Sequence, residues 1–206
     1  MPSSATTDAV IAYHEAAHAV AAEATGYGEA QDVRFSSEVG LHGNCRMRSL
    51  NYEVERLLVG DSEGEAYLLA HLLTTVAGFA ANKIRGDETE SWDEEVAFDE
   101  DGFDHPVSNS WIRQNMSDYE EARVLAHVLG RTIEHVMAET MDFLRQPDVW
   151  SAVERVAEAL LQSDEGRLER DEIVSAIGDG LARYRITSLT IALEVVHRVR
   201  RRRPFV

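Results

Sequence analysis

His14 and His18 stand four residues apart, and Glu15 directly follows the first of them. On a helix this spacing puts both imidazoles on one face, where each can aim a ring nitrogen at a single metal ion. Glu15 lies beside that pair and can reach a water held by the ion without ligating the ion itself. The spacing His-Glu-x-x-His therefore suits metal-assisted hydrolysis. Zinc lowers the pKa of a water it holds to about 7 and polarises a carbonyl. Glu15, as general base, would take the proton of that water as it attacks. The expectation is a Zn2+ site with His14 and His18 as ligands.

Two histidines leave such a site incomplete, because catalytic zinc takes three protein ligands and keeps a further position for water. A third histidine six residues after the second is absent, since position 24 is Ala. On residue type alone Glu38, His42, His71, His105 and Asp118 all remain open. Asp118 stands out because it follows Ser117 in a Ser-x-x-Glu capping box that opens a long helical stretch. The helix dipole favours a carboxylate there, which equally accounts for an ordinary N-terminal Asp.

The elements that must hold these residues can be read from period and punctuation. A helix is expected from an N-cap at Thr7 to about Thr25, where Gly26-Tyr27-Gly28 stops it. Alanines flank the motif (Ala16, Ala17, Ala19, Ala21, Ala22) and let other segments pack close. Residues 31–36 and 44–48 alternate and read as a hairpin. An exposed edge at Val33, Arg34, Phe35 and Ser36 would bind an extended peptide by strand addition, unless the acidic segment caps it.

A buried helix is expected from Glu63 to about Ile84, ending at Gly86. Ten of the twenty residues in 87–106 are Asp or Glu, with no helical period, which reads as a solvated loop. Helical sequence follows from Ser117 to about Leu144, and again from Pro147 with Val149, Trp150, Val153, Val156 and Leu160 on one stripe. A turn at Asp164-Glu165-Gly166 precedes a short helix over 171–177. His71, His127 and His135 fall in helical segments and read as packing or surface residues, and Cys45 as a small apolar filler.

The fold expected is mainly α (α+β). It is a zincin-like helical domain with a small β-hairpin or sheet next to the motif helix, followed by a helical bundle. Residues 1–180 form the domain, and 181–206 a helical extension ending in an Arg-rich cluster at 198–203. That cluster reads as a helix C-terminus whose cations answer the dipole, rather than a nucleic-acid or membrane patch.

Composition bounds the partners. The net charge is -17, from 37 acidic against 20 basic residues, so most of the surface repels nucleic acid and anionic lipid. A single cysteine excludes an intramolecular disulfide and fits a reducing compartment. Met1 to Asp8 has no basic n-region, and no run approaches the roughly 20 apolar residues of a spanning helix. A cytoplasmic protein without a membrane span is expected.

Over most of residues 9 to 177 the chain resembles the peptidase domain of the FtsH family of ATP-dependent zinc proteases. Its His14-Glu15-Ala16-Ala17-His18-Ala19 is similar to that family's His-Glu-Ala-Gly-His-Ala, with Ala17 in place of the glycine. Val33 to Arg48 resembles the family's hairpin, and Gly78-Phe79-Ala80-Ala81 its buried Gly-x-Ala-Ala. Ser117-Asp118-Tyr119-Glu120-Glu121-Ala122 is similar to the segment carrying its third ligand, and the resemblance implies that role for Asp118. Trp150 to Leu161 and Arg170-Asp171-Glu172-Ile173 resemble its closing helices. The Thr-x-Gly-Ala expected before the aspartate is replaced by Arg113-Gln114-Asn115-Met116, and neither a Walker A sequence nor a membrane anchor is found.

The resemblance implies an endopeptidase acting on unfolded or flexible polypeptides, with a separate ATPase or copies of the chain as partners. A catalytically silent zinc-binding adaptor is the competing expectation. A hydrolase of other substrates ranks below both, for want of any phosphate or sugar signature.

Overall fold

The computed structural model describes residues 4–36, 42–49, 62–87, 118–179 and 181. Glu38, His105, Ser117, the acidic segment beyond Asp87 and the Arg-rich end lie outside the described residues, as does the side chain of His42. Six helices and three strands are described: α1 (Ser4–Thr25), β1 (Gly28–Ser36), β2 (His42–Ser49), α2 (Ser62–Arg85), α3 (Asp118–Val128), α4 (Ile133–Leu144), α5 (Pro147–Gln162), β3 (Arg167–Glu169) and α6 (Arg170–Ile177). The described chain is thus mainly helical with one small antiparallel sheet.

The centre of the fold is α1. Ala12, Ala16, Ala17, Ala19, Val20, Ala21, Ala22 and Ala24 are all fully buried, so this helix is covered on nearly every side. Alanine suits that position twice over, since it is the best helix former and loses no side-chain entropy on burial. Its small volume lets α2 and α5 pack on α1 while β1 and β2 cover another side. Leu72 and Val76 of α2, Val33 of β1 and Val149, Val153, Val156 and Leu160 of α5 complete the core. The stripe read for α5 is therefore buried, although Trp150 is only half-buried at its margin.

Three expectations about elements change. Helix α1 begins at Ser4 rather than after Thr7, because nothing in Ser4-Ala5-Thr6 breaks a helix and Thr7 simply continues it. The helical stretch to Leu144 is two helices, α3 and α4. Gly130 takes φ 63, a left-handed turn that stops α3, and Thr132 then caps α4 by accepting a hydrogen bond from the backbone N–H of His135 (3.3 Å).

The third change concerns the sheet, whose order is β2-β1-β3. Val33, Arg34 and Phe35 do not lie on an edge. Val33 pairs with Cys45 on one side and Leu168 on the other, Arg34 with Asn44 and Arg167. The N–H of Phe35 donates to Gly166 O at 2.9 Å. Val33 is also fully buried, so it faces the core rather than a ligand. Residues Val33 to Phe35 are thereby corrected from substrate edge to central strand, and Ser36 continues that strand opposite His42. The cause is β3, three residues long and too short to show alternation. Among the described residues β2 pairs with β1 alone.

Candidate metal centre

Three elements converge on His14 and His18. Helix α1 carries both imidazoles, with ring centroids 4.8 Å apart and planes at 70°. Helix α3 brings Asp118 across, so that its Oδ2 lies 3.5 Å from His14 Nε2 and 3.1 Å from His18 Nε2. One ligand-capable atom from each of the three residues lies within 4.8 Å of the other two. Two nitrogens and an oxygen bound tetrahedrally to one zinc would stand about 3.3 Å apart. The observed spacings from Asp118 bracket that figure.

The ring of each histidine is fixed from behind by α2. His18 Nδ1 lies 2.7 Å from the carbonyl oxygen of Thr74, which can only accept, so Nδ1 carries the proton it donates. In the neutral ring Nε2 is then a lone pair, buried and without a hydrogen-bond partner, although Asp118 is close. A lone pair facing a carboxylate oxygen at 3.1 Å calls for positive charge between them, which a ring proton supplies in the metal-free protein and a metal ion would supply in its place. The donor set fits zinc on these grounds, two imidazole nitrogens and a carboxylate being its usual ligands.

Asn82, also on α2, places its side-chain amide 3.3 Å from His14 Nδ1. Turned so that Oδ1 accepts from a protonated Nδ1, the amide both gives that buried oxygen a partner and leaves Nε2 of His14 as the lone pair. Phe79 meets the same ring in a T-shaped contact, centroids 5.1 Å apart at 81°.

The ionisation of the site follows the same logic. Burial alone would lower the His18 imidazole, but Asp118, helped by Glu15 and the Thr74 carbonyl, lifts it to about 9. Burial would likewise raise Asp118, and the two imidazoles outweigh it, holding the carboxyl far below the usual carboxylate range. Glu15 goes the other way. Burial pushes it up to about 7, Asp118 adds to the rise, and His18 opposes it. A carboxyl poised there can both take and return a proton near neutral pH.

Two glycines make the room. A β-carbon at Gly78 of α2 would overlap the His14 imidazole, and one at Gly43 of β2 would overlap the Glu15 carboxylate. Strand β2 thus runs directly beside the buried Glu15 carboxylate.

Of the other candidates for third ligand, His71 is engaged elsewhere, with its Nε2 3.1 Å from Glu121 Oε1. His135 forms an exposed pair with Glu139 (3.2 Å). Cys45 lies half-buried against the core, the filler expected. Thr74, Asn82 and Gly43 were not singled out by sequence. Asn82 directly follows the Gly78-Phe79-Ala80-Ala81 run, which was the only signal pointing near it. Compared with known proteins, the chain matches no protein-family model and no curated protein.

Proposed function

We propose that the chain is a zinc metallopeptidase in which His14, His18 and Asp118 hold the metal and Glu15 is the general base. The observation that carries the proposal is the convergence of those three ligands from two helices, with a buried carboxylate at about 7 beside them. Zinc held there would supply a Lewis acid and acidify a water. Thr74 and Asn82 orient the two imidazoles, so that both Nε2 atoms face Asp118. Glu15, in its carboxylate form, accepts the proton of the attacking water and returns it to the departing amine. Gly43 leaves its carboxylate the space to do so.

We place the substrate strand along β2, which among the described residues pairs with β1 alone, so that an extended polypeptide would add to the sheet beside Glu15. The resemblance to FtsH peptidases supports the zincin-like assignment and the preference for unfolded or flexible polypeptides. On that reading folded substrates need a separate ATPase. The single cysteine supports a cytoplasmic location. Among the described residues no helix is long and apolar enough to cross a membrane.

Casein cleavage by the zinc-loaded chain tests the proposal. Wild type should cleave, and Glu15→Gln should lose activity by about 10²–10⁴-fold while retaining zinc. A zinc-replete wild type that leaves casein and flexible peptides intact would favour the silent adaptor instead.

A further inference from the structure

Asp118 is the one proposed ligand that α1 does not supply, and α3 begins at that residue. What fixes α3 against the rest of the site is therefore as important as the ligand. One helical turn after Asp118, Glu121 reaches α2, where its Oε1 lies 3.1 Å from His71 Nε2. His71 stands one turn before Thr74, whose carbonyl orients His18. The clasp thus sits one turn from a site contact on both helices that it joins.

The imidazole of His71 is not free to follow Glu121 wherever it goes. Its ring stacks on Tyr27, with centroids 4.3 Å apart and an interplanar angle of 11°. Tyr27 lies just past the end of α1, is buried, and packs in turn on Tyr67 of α2 at 5.3 Å. A chain of contacts therefore runs from the end of α1 through His71 of α2 to Glu121 of α3. These are the three helices that carry the ligands and the groups orienting them.

We propose that His71 and Glu121 are positioning residues for Asp118, a clasp that sets the height and rotation of α3 so that the carboxylate meets His14 and His18. The inference rests on the metal reading above and deepens it. Neither residue is one of the proposed ligands or the proposed base. Glu121 is 41% exposed at its side chain, so as an isolated ion pair it would add little to stability. Its consequence belongs to geometry at the ligand, where small displacements weigh heavily.

Competition titration of zinc against a chromophoric chelator tests this in the full chain. The variants are Glu121→Ala, Glu121→Gln, His71→Phe (which keeps a ring against Tyr27) and the double His71→Phe/Glu121→Ala. The zinc Kd should rise about tenfold in each of Glu121→Ala and His71→Phe. It should stay within about twofold of wild type in Glu121→Gln, which keeps an acceptor for the ring N–H. The double variant should be no weaker than either single, because both remove one interaction. The visible absorption of the cobalt-substituted protein should change in the same variants that lose affinity, while far-ultraviolet circular dichroism is unchanged.

Wild-type Kd and an unaltered cobalt spectrum in Glu121→Ala and His71→Phe would overturn the clasp and leave the metal site standing. Losses that simply add in the double variant would overturn it as well. A wild type that binds no zinc would overturn the metal reading itself, and the clasp with it.

Discussion

At the residue scale the site depends on atoms that are absent as much as on those present. His14 and Glu15 each lie where a neighbouring β-carbon would stand, and glycine at positions 78 and 43 is what admits them. Alanine at either position forces the functional side chain to move, but the two should fail differently. Gly78→Ala displaces a proposed ligand and should raise the zinc Kd by at least about tenfold, read by chelator competition. Gly43→Ala displaces the proposed base, Glu15, and should leave zinc affinity near wild type while peptide turnover falls about 10²-fold. Wild-type zinc affinity and wild-type turnover in both variants would show that the clearances carry no function. His14, Glu15 and His18 were legible in sequence because one helical period brings them together. Asp118 was legible only in part, since the helix dipole explains an N-terminal aspartate equally well, and the resemblance chose it among five candidates. Thr74 was not legible, because it contributes a backbone carbonyl and any residue has one.

At the scale of elements the hairpin of β1 and β2 is legible, and what escapes is the third strand on the far side of β1. Period and caps located every described helix to within a few residues, apart from the break at Gly130 and the early start of α1. Strand β3 carries a single inward residue, Leu168, between Arg167 and Glu169, so it offers no pattern to read. Yet β3 turns β1 into the central strand and, among the described residues, leaves β2 and β3 as the outer strands. The join between β3 and α6 is secured by Arg170, which pairs with Glu23 of α1 and donates to Ala30 O of β1 at 2.9 Å. Glu23 is buried and also accepts from the N–H of Ala30 at 3.0 Å. Arg170→Ala takes the cation from a buried carboxylate and should destabilise the fold by on the order of 2 kcal/mol, read from urea unfolding. A change within about 0.5 kcal/mol would show that this junction is held by packing alone.

For the whole molecule, the arrangement puts the proposed metal site on a helix that is buried on nearly every side. Helix α1 is enclosed by α2, α5 and the sheet, and its alanines allow those elements to approach closely enough for their groups to reach it. The Glu15 carboxyl on α1 is dry enough to hold a raised pKa, while Asp118 arrives from a half-exposed helix start at the margin. A core made largely of alanine on one helix and Val or Leu on its neighbours was readable as helical. The meeting of α2 and α3 at the site was not, because no local period encodes how two helices far apart in sequence cross. The central claim is that His14, His18 and Asp118 together hold one metal ion. It is tested most directly by the zinc content of the purified chain after dialysis against a competing chelator, in wild type and in Asp118→Ala. The account predicts equimolar zinc in wild type and loss of zinc in the variant. A metal-free wild type, or a variant that retains zinc as firmly as wild type, would contradict it.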